Sequence, residues 1–328
     1  MVRILLTSPT PARGLYYPEE AIAGLRALGD LRLNQSDAAL EGERLIEAAR
    51  DRDVIVSDRT SHGPAALFAA LPGLVAFVRC AVDIRNVDAA SAAGVLVTRA
   101  SPGFIDAVAE WIVGAMIELG RGLTAGTIDY RAGRAPKIAM GRQLAGSALG
   151  VIGYGAIGRR LVELGQALKM TVLVADPHAR VERPGVAQVA LPELLARADF
   201  VVCLAIANES TENLMDAATF ARMKPSAFFV NPSRGGLVDE AALEAALREG
   251  RIAGAALDVG RARDQMPSPV LAALQGVIAT PHVGGLTAPA TSHQALETVR
   301  QVAEILNGRV PAGAVNADRA TRLARLAA

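Results

Sequence analysis

Cysteine is scarce in this chain: there are two, Cys80 and Cys203, and both sit in or beside apolar runs. That excludes a disulfide framework and leads one to expect reduced core thiols in a cytoplasmic protein. The four histidines, His62, His178, His282 and His293, share no zinc-type spacing with them, so no metal is expected. Charge of one sign is also lacking. Lys and Arg number 34 against 33 acids, a net charge of +1 with no basic block, which speaks against nucleic acid or an anionic membrane as partner. Arg319, Arg322 and Arg325 read as a solvated helix face. No uninterrupted apolar span is long enough to cross a bilayer, since the longest helical stretch carries Asp106, Glu110 and Glu118. The segment Met1–Thr7 is too short and wrongly flanked for a signal peptide and reads as a first strand. There is neither an internal repeat nor a low-complexity linker.

What the chain does have is length and apolar material. At 328 residues and 51% hydrophobic composition it can build two domains with sizeable cores. Strand-like runs at Ile4–Thr7, Val54–Ser57, Val75–Arg79 and Val95–Thr98 alternate with helical patterns at Asp37–Arg50 and Pro64–Leu71. Ser101-Pro102-Gly103 breaks the chain, and a long helical stretch runs from Ile105 to about Gly133. A second alternating block has strand-like runs at Phe200–Leu204, Ala227–Val230, Ala253–Leu257 and Val277–Ala279, and Thr280-Pro281 closes it. A final helix is expected over Ala288–Leu306. The reading is α/β throughout, with a doubly wound parallel-sheet domain over 101–283 interrupting a domain made of 1–100 and 284–328. Two crossings between lobes imply a hinge and a cleft.

Ala148–Asp176 is the most telling stretch. The apolar run around Leu149, Val151 and Ile152 leads into Gly153-Tyr154-Gly155-Ala156-Ile157-Gly158, then into Leu161, Leu164 and Leu168 at helical spacing, then into Val172–Val174 and Asp176. Strand, glycine turn, helix, strand and acid make a dinucleotide-binding βαβ unit of Rossmann type. Gly153 permits the tight turn, Gly155 the approach of a pyrophosphate, and Gly158 close packing of helix on strand. The helix N-terminus offers its free N–H groups to phosphate. Asp176 falls near the roughly 20-residue spacing of the acid that binds ribose hydroxyls. Its charge repels a 2′-phosphate, so the cofactor is expected to be NAD, although Arg180 is near enough to accept one.

Three further loops follow predicted strands, where open α/β sheets bind ligands. In Val230-Asn-Pro-Ser233-Arg234-Gly-Gly-Leu-Val-Asp239 the guanidinium can hold a carboxylate bidentately and polarise an adjacent carbonyl; the bland alternative is a surface Arg before a helix capped by Asp239. In Ala255-Ala-Leu-Asp258-Val259 the acid can meet a nicotinamide amide, or simply end a strand. In Thr280-Pro281-His282-Val-Gly284-Gly285 the imidazole suits proton transfer near neutrality.

With these motifs in this order, the chain resembles the D-isomer-specific 2-hydroxyacid dehydrogenase family, relatives of phosphoglycerate, glyoxylate and formate dehydrogenases, over nearly its whole length. The resemblance implies a flavodoxin-like substrate domain around the inserted Rossmann domain, a cytoplasmic homodimer joined through the long helix after Ser101, and a small 2-hydroxy or 2-keto acid as substrate. It implies that Arg234 binds the substrate's carboxylate and carbonyl, that His282 is the general acid/base and that Asp258 contacts nicotinamide. The expected NAD contacts are Gly153, Tyr154, Gly155, Ala156, Ile157, Gly158, Asp176, Pro177, Ser233, Asp258 and Gly284.

The chain departs from that pattern twice. The family usually places a Glu, paired with the histidine, five residues after the Asp of the LDV strand. The equivalent here is Arg263, within Asp258-Val-Gly-Arg-Ala-Arg263-Asp264-Gln265-Met-Pro267. Asp264 is the expected replacement, a carboxylate that would raise the ring's pKa and fix its orientation; Gln265 could orient the ring without charge, as in formate dehydrogenases. Relatives also carry a Gly-x-Gly that binds the substrate carboxylate, where this chain has Ala81-Val82-Asp83. Ala81, Val82, Asp83, Arg85 and Phe104 are the expected substrate contacts, with an ordinary Asp83–Arg85 ion pair as the alternative. Two other functions stay open: an NAD(H)-responsive regulatory protein on the same scaffold, and a formate- or phosphite-type dehydrogenase.

Overall fold

The computed structural model describes residues 1–326, and among these described residues twelve strands form two sheets, all of whose pairings are parallel. The chain divides into two compact units, unit 1 being Met1–Phe104 with Leu286–Ala328 and unit 2 being Ile105–Gly285.

Unit 1 contains β1 (Arg3–Leu6), β2 (Asp30–Leu33), β3 (Val54–Ser57), β4 (Ala76–Arg79) and β5 (Leu96–Arg99), in the spatial order β2-β1-β3-β4-β5. This is the flavodoxin-like order, whose reversal falls between β1 and β3. Strand geometry sends successive side chains to opposite faces. Ile4, Leu6, Val54, Val56, Ala76 and Val78 join one core with Leu25, Ala295 and Val302, while Leu5, Ile55, Phe77 and Val97 join the other with Leu45, Leu67 and Phe68. The helix Ala288–Leu306 therefore fills one face, and Phe68 meets Phe77 edge-on at 5.7 Å. Beyond that helix, the Asn316 side chain accepts from the Val97 amide and donates to the Val95 carbonyl.

Unit 2 contains β6 (Ala148–Ile152), β7 (Thr171–Ala175), β8 (Val186–Gln188), β9 (Phe200–Cys203), β10 (Phe228–Asn231), β11 (Gly254–Leu257) and β12 (Val277–Ala279). Their order is β12-β11-β10-β9-β6-β7-β8, the Rossmann order with its switch point between β6 and β9. The strands β9, β10 and β11 are buried almost throughout, as a sheet covered on both faces requires. The single helical stretch expected from Ile105 to about Gly133 is instead two helices, Ile105–Arg121 and Leu123–Arg131. Gly122 separates them at φ 59°, ψ 39°, a left-handed conformation that glycine adopts without a Cβ penalty.

Candidate active site

The glycine turn after β6 is shaped by contacts that no side chain could survive. Gly153 stands at φ 100°, and a Cβ there would lie 2.6 Å from the Leu204 carbonyl oxygen, in the loop after β9. A Cβ on Gly158 would lie 2.3 Å from the Gly153 carbonyl oxygen, so the helix Ala156–Ala167 can start this close to the strand only with glycine there. Gly155 is different: a Cβ would meet nothing within 4 Å, so open space lies in front of this backbone. No side chain caps that helix, which leaves its first-turn N–H groups and positive dipole end available to an anion. These features fit the pyrophosphate of a dinucleotide.

Asp176 follows β7 and ties the cradle together. Its carboxylate accepts from the backbone N–H groups of Tyr154 (2.7 Å), His178 (2.8 Å) and Ala179 (3.0 Å). Partial burial works against the charged form, but these amide donors outweigh it and hold the carboxyl below its usual range. The group is therefore an anion at neutral pH, ready to accept from ribose hydroxyls. The Tyr154 ring lies under the Arg159 guanidinium at 4.3 Å, and an open depression of about 530 Å³ beside it is lined by Arg159, Arg180 and Arg183 with Glu163 and Glu182. Pro177 is exposed next to Asp176.

Adjacent strands β10, β11 and β12 lead into the loops that carry Arg234, Asp258 and His282. Buried Asn231 shapes the first loop: its side chain donates to the Arg234 carbonyl (3.0 Å) and accepts from the Ser233 amide (3.1 Å). Ser233 Oγ donates to the Cys203 carbonyl, and Arg234 Nη1 donates to the Ser233 carbonyl. Asp258, 2% exposed, accepts from Thr280 Oγ1 (2.6 Å) and from the amides of Val283 and Gly284 (2.8 Å each). Its own carbonyl accepts from the His282 amide at 3.0 Å. Asp258 thus braces the histidine loop from both sides. Gly284 makes this possible, since a Cβ there would lie 2.8 Å from the Asp258 carboxylate.

His282 stands at φ 56°, and its Nδ1 lies 3.3 Å from the main-chain carbonyl oxygen of Asp264. The contact described between these two residues is one to the backbone of Asp264. Nothing in the sequence signals it, because every residue has a carbonyl and only the fold aims this one.

In unit 1, Asp83 and Arg85 form a close ion pair, Arg85 Nη2 to Asp83 Oδ2 at 2.6 Å, next to half-buried Ala81 and Val82. Phe104, half-buried, is the last residue of the first segment of this unit. Sequence reasoning assigned no role to Arg79 at the end of β4. It is 2% exposed, and its guanidinium donates to the carbonyls of Asp58, Arg59 (2.6 Å), Ser61 (2.9 Å) and Asp83 (3.3 Å) and to Asn86 Oδ1 (2.9 Å). One buried cation therefore pins the loops after β3 and β4 to each other.

Comparison with known proteins agrees with this geometry. Residues 113–284 match the model for the D-isomer specific 2-hydroxyacid dehydrogenase NAD-binding domain. The chain is 35% identical over 296 residues to an (S)-sulfolactate dehydrogenase from Chromohalobacter salexigens, covering 86% of this chain and 96% of that one. It is 32% identical over 323 residues to a D-3-phosphoglycerate dehydrogenase from Methanocaldococcus jannaschii, covering 96% of this chain. It spans 60% of the length of that archaeal relative. Among solved structures, the TT0316 protein from Thermus thermophilus superposes with a TM-score of 0.87 at 26% identity, covering 96% of this chain and all of that one. A D-2-hydroxyisocaproate dehydrogenase shares the fold, with a TM-score of 0.85 at 20% identity, covering 96% of this chain and 99% of that one. Unit 2 is an NAD-binding domain, and the chain belongs to the D-isomer specific 2-hydroxyacid dehydrogenase family.

Proposed function

We propose that this protein interconverts a small 2-hydroxy acid and its 2-keto acid with NAD(H). The observation that carries the reading is the set of three neighbouring strand ends bearing Arg234, Asp258 and His282, in the same unit as a glycine cradle backed by an ionised Asp176. NAD(H), when bound, supplies or accepts the hydride. Gly155 and the uncapped helix would hold its pyrophosphate, Asp176 its ribose, and Ser233, Gly284 and their neighbours its nicotinamide half. The Arg234 guanidinium binds the substrate carboxylate and stabilises charge that develops on the C2 oxygen. His282 Nε2 takes the hydroxyl proton in oxidation and returns it in reduction. Asp258 keeps the loop that carries the ring in place.

The test is oxidation of NADH with a panel of 2-keto acids, with and without a second anionic group. Turnover of at least one member is expected. NADH binding without turnover of any member would favour the regulatory alternative, and oxidation of formate or phosphite in the reverse assay would favour the third.

The functional form in this reading is a homodimer. The helix Leu123–Arg131 buries none of its residues, and the stretch around it exposes Leu123, Ile128, Tyr130, Ile138 and Met140, the last two fully. A second copy of the chain would cover this apolar surface. A monomer by light scattering at micromolar concentration would argue against it. A cytoplasmic location is supported by two free thiols, Cys80 and Cys203. Among the described residues no helix is long and apolar enough to cross a membrane.

A further inference from the structure

We propose that Arg159 is a phosphate-binding residue of the cofactor site, its guanidinium held ready on the ring of Tyr154 to meet a phosphate group of the dinucleotide. The inference rests on the reading that NAD(H) lies over Gly155 with its ribose at Asp176.

Three observations carry it. The first is how the pair is built into the cradle. Tyr154 stands between Gly153 and Gly155, is 4% exposed, and gives its amide to Asp176 Oδ2 at 2.7 Å. The Arg159 amide donates to the Gly155 carbonyl at 2.9 Å, and its guanidinium carbon lies 4.3 Å from the centre of the Tyr154 ring. The residue that fixes the ribose acid therefore fixes the cation as well. A guanidinium held over an aromatic face keeps its N–H donors for another partner.

The second observation is charge. The helix Ala156–Ala167 has no acid in its first turn, yet two arginines follow Gly158 directly. A cation near the positive end of a helix is disfavoured unless an anion answers it. Arg160 is answered within the protein, by Asp106 at 2.6 Å and Glu163 at 3.1 Å. Arg183 is answered by Glu163 at 3.1 Å and Arg180 by Glu182 at 3.5 Å. Among the described residues the Arg159 side chain rests on the Tyr154 ring, and no carboxylate pairs with it.

The third observation is space. Arg159 lines the open depression of about 530 Å³ beside Tyr154, and a Cβ on Gly155 would meet nothing within 4 Å. Two phosphate groups offer the same chemistry here, oxygens that accept a fork of N–H groups. The pyrophosphate is common to NADH and NADPH, and the 2′-phosphate belongs to NADPH alone.

The experiment is fluorescence titration of the whole chain with NADH and with NADPH, for the wild type, Arg159→Gln and Arg160→Gln. Arg159→Gln is expected to raise Kd about tenfold, the size of one charge-assisted hydrogen bond. Its Tm should hold, because the side chain is exposed. Equal loss for both cofactors puts the contact at the pyrophosphate, and loss confined to NADPH puts it at the 2′-phosphate. Arg160→Gln removes the same charge one residue away, where Asp106 and Glu163 already balance it, and should leave both affinities within about twofold. Unchanged affinities in Arg159→Gln overturn the proposal. So does an equal loss in Arg160→Gln, since a diffuse field would then explain both. Tyr154→Leu and the double variant complete a cycle, in which the double loss should fall short of the sum of the single ones. Additive losses overturn the part given to Tyr154. A wild type that binds no NADH overturns the proposal and the cofactor cradle together. NADH binding without turnover of any keto acid sinks the proposed activity alone, and the titration still decides the role of Arg159.

Discussion

The two sheets finish their strands in different ways. In unit 2 the strand ends are shaped by the main chain: Gly153 and Gly158 admit contacts that no Cβ would allow, and Asp176 and Asp258 both gather backbone amides. In unit 1 the equivalent loops are built from side chains. Ser61 Oγ donates to Thr7 Oγ1 at 2.8 Å, Asp58 Oδ1 accepts from the Ser61 amide at 2.9 Å, and Arg79 ties both loops from below. Main-chain scaffolds are indifferent to most substitutions but intolerant of one, an added Cβ at a crowded glycine. Side-chain scaffolds can be altered residue by residue. That suits the unit that holds a constant cofactor to the first kind.

Four experiments would break or sharpen this contrast. The largest effect is expected from His282→Ala, which leaves the main-chain scaffold intact and removes the group standing on it. Keto-acid reduction should fall about 10²–10⁴-fold, the range of general acid–base catalysis, with NADH affinity retained in a fluorescence titration. Retained turnover would move the proton-transfer role elsewhere.

Next come two glycines of the cradle. Gly158→Ala forces a Cβ to 2.3 Å from a carbonyl oxygen and should lower Tm and abolish NADH binding together. Gly155→Ala adds a Cβ to open space, so Tm should hold while NADH binding weakens. If both variants behave alike, the cradle is not built as described.

The side-chain scaffold is tested by Arg79→Met. Several carbonyls would lose a charged donor in a place water reaches poorly, a loss of about 3 kcal/mol or more in urea unfolding. Hydrogen exchange should rise in the loops after β3 and β4 first.

The smallest effect concerns Asp199, whose side chain is 19% exposed and pairs with Arg142 (2.8 Å) and Lys224 (3.1 Å) while accepting from the Ala148 amide (2.8 Å). Burial works against its charge, but the amide and the two cations outweigh it and hold the carboxyl below its ordinary value. A depressed carboxylate stabilises the fold above its unfolded pKa, about 3.9, and that stabilisation is lost as pH falls through the lower folded value. Asp199→Asn should therefore lower Tm modestly at pH 7, and the gap to wild type should close below about pH 4. A gap that widens in acid would contradict the assignment.

The same contrast explains what could be read from the sequence. The glycine turn, Asp176 and the loops of Arg234, Asp258 and His282 carry spacing signals because main-chain crowding restricts residue type. The interior strands are legible as continuous apolar runs. The edge strands β2 and β8 are not: Asp30-Leu-Arg-Leu buries only one face in part, and Val186–Gln188 is mostly exposed, so neither has a hydrophobic signature. Gly122 reads as one more helical residue until its left-handed backbone splits the helix. Arg79 looks like any arginine at a strand end, because its partners are carbonyls whose approach only the tertiary fold sets.

Unit 1 is assembled from the two ends of the chain, and this bears on how it is made. Its interior needs Ala295, Val302 and Ile305, and its fifth strand needs Asn316, which reaches Val97 across 219 residues of sequence. On a ribosome adding roughly 5–20 residues per second, the first hundred residues wait many seconds for those partners, while the contiguous segment between them can already close its own core. The early strands, rich in unpaired apolar surface, are thus the part of the nascent polypeptide most in need of chaperone cover.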